Sequence, residues 1–248
     1  RKMRYMYSYM HVFEHDDWFM TLILGSVCSF FIPVIGPIVF AGYLYQGIEG
    51  FIRRPNQKMS KFDFNQFTQR LTRGVYPFVV ALILQFLGMA VSIIISFFPM
   101  AIVPFIVMLE SGVHPIAPLI GLMLIMIFYV VVLIISYFAL ALIMPLLMLR
   151  AGLSQSFKEI INFRWICSFV RMMWLEQTMS SLFLIISSIS VLSIGMLMCF
   201  VGVWPAAVLT WLAGSHLTYQ QYAIFLAKGG EPIPLKEETP CYPVEQPR

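Results

Sequence analysis

Of 248 residues, 60% are hydrophobic and only 11% are charged, with a mean hydropathy of +0.83. A soluble domain carries about 25% charge, so much of this surface must face lipid, and a water-soluble globular protein is excluded. The net charge of +4 says less than its placement: all 16 Lys and Arg fall within 1–4, 53–73, 150–171 and 228–248. Basic residues in short loops mark the cytoplasmic side, so each of the basic-free stretches 5–52, 74–149 and 172–227 starts and ends on the same face. Each reads as a hairpin of two crossings.

Residues 1–17 form a cytoplasmic or interfacial segment without a cleavable signal pattern. It contains His11-x-x-Glu14-His15, the H-x-x-E-H pattern of one class of zinc peptidases. The spacing puts both His on one helical face, but a zinc site needs a third ligand and a wet cleft. No extramembrane segment is large enough to build one. The simpler reading is a helix start, with Asp16 or Asp17 capping the first membrane helix and Trp18 anchoring it among the headgroups.

The transmembrane helical domain spans 18–228. Its first hairpin, 18–52, turns at Pro33, Gly36 and Pro37, leaving each arm shorter than the roughly 20 residues of a full crossing. It is read as two short crossings, with a re-entrant loop as the alternative. The second hairpin has one helix over 74–98, stopped by Pro99, and another over 118–150, tilted or kinked at Pro145. Glu110 and His114 lie in its far-side loop. The third hairpin begins near Met172, turns at 202–205 and ends at Lys228. After it, 229–248 is rich in Pro and Glu and reads as a disordered tail.

The fold class is therefore all-α: a polytopic membrane protein of about six transmembrane helices in three hairpins, both termini cytoplasmic. In the two internal loops, Ser60-x-x-Asp63 and Ser156-x-x-Glu159 fit a capping box. Phe64, Phe67 and Leu71 follow the first, and Ile160, Ile161 and Phe163 the second. Each loop is expected to form a short cytoplasmic interfacial helix.

Polar residues within the crossings are few. Glu176 follows Arg171 near the cytoplasmic end of the fifth crossing and reads as a snorkelling or salt-bridged group. On the sixth, Ser215, His216, Thr218 and Gln220 make the most polar patch, which either lines an aqueous pocket, bonds neighbouring helices or lies at the inner interface. Ser and Gly elsewhere suit close helix packing. Cys28, Cys167, Cys199 and Cys241 show neither metal spacing nor a disulfide framework. No Walker loop, dinucleotide fingerprint or nucleophile elbow is present, and no cofactor is expected.

The stretch FEHDDWFMTLILGSVCSFFIPVIGPIVFAGYLYQGIEGFIRR, followed by FDFNQFTQRLTRGVYPFVVALI, resembles an uncharacterised prokaryotic membrane family, domain of unknown function 4013. The acidic opening before Trp18, then Gly25, the Pro33–Pro37 turn, Gly42-Tyr43, the polar loop and Gly74 carry the resemblance. It implies a multi-helix protein of the prokaryotic inner membrane and brings neither an activity nor catalytic residues. The functional expectation is a non-enzymatic scaffold or accessory subunit, contacting membrane lipids and membrane-protein partners or further copies of itself, with no nucleic acid. The alternative is a small-solute transporter or channel with its path near the fifth and sixth crossings.

Overall fold

The computed structural model describes residues 3–14, 17–54, 62–109, 116–160, 162–198 and 201–236, and all regular structure among them is helical. The order is α1 Tyr7–Phe13, α2 Trp18–Ser26 continued by a π turn at Val27–Phe31, α3 Ile35–Arg53, a 3₁₀ turn at Phe64–Gln66, α4 Phe67–Leu109, α5 Ile116–Ser154, α6 Phe157–Ile160, α7 Phe163–Leu197 and α8 Val203–Ala227. His15, Asp16, Ser60, Glu110, His114, Ile161, Cys199 and residues 237–248 lie outside the described residues. The chain divides into two units: Arg1–Phe78 with Leu146–Arg248, and Val79–Pro145.

Among the described residues, three helical spans are long and apolar enough to cross a membrane: Phe64–Phe97, Ile120–Ser154 and Phe163–Leu197. Six crossings are thus not established on length and composition. Trp18–Phe31 is apolar but short. In α3, Gln46, Glu49 and Arg53 lower the hydropathy, as the polar run 214–222 does in α8.

In the first unit, α2 and α3 meet at a turn, Ile32–Val34, that Pro33 enforces because it has no N–H to extend the helix. Gly36 and Pro37 sit instead inside the first turn of α3, where the backbone N–H groups have no helical partner to lose. Val39, Phe40, Tyr43 and Phe51 of α3 are buried in one core with Leu22, Cys28, Val208 and Leu212.

Several boundaries differ from the sequence reading. Asp63 is the N-cap of the first described turn after the loop, its Oδ1 accepting the Asn65 backbone N–H at 3.0 Å, whereas Ser60 lies outside the described residues. That bond and a second from the Asn65 side chain hold the Asp63 carboxyl below its ordinary range. The 3₁₀ turn then runs straight into α4, so no separate interfacial helix forms there. α4 also passes through Pro99 and Pro104 to Leu109, as membrane helices can.

α7 starts at Phe163, well before Met172. The Asn162 side chain caps it by accepting the Trp165 N–H at 3.1 Å. Trp165, Phe169 and Met173 then recur every fourth residue and are buried against Leu149, Tyr222 and Phe225. Only the single turn α6 remains of the second interfacial helix. Ser156 lies in the turn before it, and the Glu159 carboxylate faces Arg150 at 3.3 Å.

The first part of the supposed tail is also packed. Ile233 is 3% exposed within the core of α5, α7 and α8. Its N–H donates to the Tyr222 hydroxyl at 2.8 Å, and Trp165 Nε1–H donates to the Glu231 carbonyl at 2.8 Å. Arg53 reaches the Lys236 carbonyl at 3.4 Å. Residues 230–236 thus strap the ends of α3, α5, α7 and α8, because Ile233 and Leu235 have apolar side chains to bury. Ile233→Ala is expected to cost about 2–4 kcal/mol, read as a fall in the thermal unfolding midpoint of the detergent-solubilised chain.

The second unit, Val79–Pro145, holds the C-terminal part of α4 and the N-terminal part of α5. Ser92 Oγ and Tyr137 OH lie 3.1 Å apart, and Ser96 Oγ and Tyr129 OH 2.8 Å apart, tying the two helices together. Most of its other side chains with described burial are exposed or half-buried apolar groups.

Candidate functional site

A buried polar cluster forms where α1 lies against α8. Ser8 and Val12, one turn apart, are the buried residues of α1. The Ser8 side chain is fully buried; its Oγ lies 3.3 Å from His216 Nδ1 and accepts from Gln220 Nε2 at 3.1 Å. Gln220 also clamps the chain just before α1: its Oε1 accepts the Arg4 N–H at 2.8 Å and its Nε2 donates to the Arg4 carbonyl at 3.2 Å.

His216 is stacked on His11 with ring centroids 4.6 Å apart, and Phe51 and Tyr7 close the group edge-on. His11 Nδ1 stands 3.5 Å from Glu14 Oε2, too long for a hydrogen bond but within ion-pair range. The same carboxylate accepts the Tyr7 hydroxyl at 3.0 Å. Burial first, and Glu14 second, raise the Tyr7 phenol above its ordinary value.

This arrangement is a docking seat. Stacked imidazoles do not converge their nitrogens on one point, and no group of three His, Cys, Asp or Glu side chains that could hold a metal occurs among the described residues. The structure therefore joins two strings that the sequence reading kept apart, His11 and the patch on α8. Ser215 and Thr218 do not join them: their hydroxyls donate to the Leu212 and Gly214 carbonyls of their own helix at 2.8 and 2.9 Å. Asp17 stands at the N-cap position of α2 without a side-chain cap bond, and Trp18 packs edge-on against Phe13 at 5.1 Å.

Glu176 belongs to a different cluster. Lys228 donates to its carboxylate at 2.6 Å and to the Met172 carbonyl at 3.0 Å, tying α8 to α7. Three other clusters centre on charged residues that the sequence does not single out. Glu49, 8% exposed, accepts from Arg53 at 2.6 Å and from Arg73. Arg70, 1% exposed, lies over the rings of Tyr43 and Phe62 at 4.9 and 5.0 Å and donates to the Asp63 carbonyl at 2.7 Å. Arg150 similarly faces Trp165 at 5.1 Å and donates to the Glu159 carbonyl. In the sequence Arg70 and Arg73 stand out only as basic residues of the 53–73 cluster, with Phe62 the nearby aromatic that Arg70 stacks on.

The model of the family described as "Protein of unknown function (DUF4013)" matches residues 25–203. The chain belongs to that family. No curated protein and no solved structure matches it. The DUF4013 match opens within α2 and closes at the first residue of α8. Glu49, Arg70, Arg73, Arg150, Glu159 and Glu176 fall inside it. The α1 seat, built on Ser8, His11, His216 and Gln220, falls outside.

Proposed function

We propose that this DUF4013 protein is a non-enzymatic membrane subunit, a scaffold or accessory component that offers lipid-depth helix surfaces to other membrane proteins. The observation that carries this reading is the exposed α4–α5 hairpin. None of the most apolar stretch of α5 is buried within the chain, and little of that of α4. Between Arg73 and Arg150 the only charged residue is Glu110.

The same reading places α2–α3, α4–α5 and α7–α8 as three hairpins in a prokaryotic inner membrane. Contacts among the charged ends support a shared cytoplasmic face. Glu49 and Arg53 at the end of α3 meet Arg73 near the start of α4, and Lys228 after α8 meets Glu176 in α7. A solute path along α7 and α8 has less support. Glu176 is neutralised by Lys228, and His216 is covered by α1. Twelve residues separate Lys228 from His216, about 18 Å along a helix.

Extraction from native membranes in mild detergent, followed by sizing and mass spectrometry, is expected to recover other membrane proteins in fixed stoichiometry. Recovery without any other protein, together with solute flux in liposomes that Glu176→Gln or His216→Ala abolishes, would overturn the reading in favour of a transporter.

A further inference from the structure

The second unit carries a shallow groove of about 420 Å³ lined by Gln85, Met89, Ser92, Ser96, Tyr137 and Leu140, among others. Its serines are satisfied: Ser92 and Ser96 bond the Gly88 and Ser92 carbonyls at 2.8 and 2.6 Å and face the two tyrosine hydroxyls. Gln85 differs. Its carboxamide is exposed and has no hydrogen-bond partner among the described residues.

Its position makes that exposure costly. Gln85 is twelve residues beyond Arg73, the last basic residue before the apolar run. At 1.5 Å per residue the separation is about 18 Å, near the middle of a hydrocarbon layer roughly 30 Å thick. A glutamine side chain cannot reach either interface from there, and lipid tails offer no hydrogen bond.

We propose that this face of α4 is the contact between two copies of the chain, centred on Gln85. The inference rests on the membrane reading of the hairpin. A carboxamide carries both donor and acceptor, so it is its own complement. Across a two-fold axis, each Gln85 N–H donates to the partner Gln85 oxygen, and an isologous contact needs nothing further from the chain. Met89 follows Gln85 by one turn on the same side of α4 and is 46% exposed, while Gly88, Ser92 and Ser96 turn toward Leu140, Tyr137 and Tyr129 of α5 and leave the Gln85–Met89 edge open to a second copy.

The test is disulfide trapping of the full chain in native membranes, with its four native cysteines replaced. Met89→Cys is expected to yield a cross-linked dimer on oxidation, whereas Ile83→Cys, Leu87→Cys and Ile94→Cys, exposed on the opposite face, are not. Adding Gln85→Leu to Met89→Cys should lower the dimer yield about three- to tenfold, and Gln85→Asn should restore part of it. Equal trapping on both faces, no trapping at Met89→Cys, or a product containing another protein would each overturn the proposal, as would a yield indifferent to Gln85→Leu. Partner recovery by mass spectrometry is read separately, so loss of the dimer contact does not decide the subunit reading.

Discussion

Gly74→Ala is expected to abolish the folded state, at a cost above about 4 kcal/mol. A Cβ at Gly74 would stand 1.7 Å from the Ile38 carbonyl oxygen and 2.8 Å from the Gly42 nitrogen, and one at Gly42 would stand 1.9 Å from the Arg70 carbonyl oxygen. Here α3 and α4 touch backbone to backbone. The obstacle is carbonyl oxygen rather than a flexible side-chain end, so no rotamer change relieves it. Only separating the helices would, and that would empty the core around Val39, Phe40 and Tyr43. Gly50 is the control, with nothing within 4 Å of its added Cβ. Gly50→Ala should be neutral or stabilising by about 0.5–1 kcal/mol, since alanine is the better helix former. Thermal unfolding and monodispersity in mild detergent report both; a Gly74→Ala chain as stable as the parent would mean the helices do not meet there.

The second large effect is expected at Glu49. This buried carboxylate neutralises Arg53 and Arg73, and the Arg73 side chain is itself only 13% exposed. Glu49→Ala removes the anion and leaves the two guanidiniums facing each other where water reaches poorly. The cost is expected to be about 3 kcal/mol, the lower end for a broken buried pair because Arg53 is partly solvated. Glu49→Leu combined with Arg73→Met should be less destabilised than Glu49→Leu alone, since it leaves one buried cation fewer uncompensated. A double-mutant cycle by chemical or thermal denaturation measures that difference. Strict additivity of the two changes would show that Glu49 and Arg73 are not coupled.

The architecture was legible where a single physical demand controls the sequence. The intolerance of hydrocarbon for Lys and Arg marks where the apolar stretches end, and the missing N–H of Pro33 marks the first turn. Family membership was legible for a related reason, because the Pro33–Pro37 and Gly74 landmarks are backbone requirements and Gly25 leaves room for the Phe40 and Val208 side chains. What was missed involves residues serving two demands. Arg164 and Arg171 looked like a loop, yet α7 runs through them because Trp165, Phe169 and Met173 bury one face while the arginines occupy the other. Pro99 looked like a stop by the rules of water-exposed helices. Ser156 matched a cap pattern, whereas the cap bonds the structure shows near the two loops come from Asp63 and Asn162. His11 and His216 are separated by 205 positions, and only tertiary contact could pair them.

The strap at 230–236 carries a consequence for biosynthesis. The ends of α3, α5 and α7 leave the ribosome well before the segment that binds Trp165, Tyr222, Leu153 and Arg53. The contacts of these helix ends with the strap can therefore form only after that segment has been made. Closure of this end of the first unit is thereby timed to follow completion of α8, and a chain halted before residue 230 would lack the bonds to Trp165, Tyr222, Leu153 and Arg53.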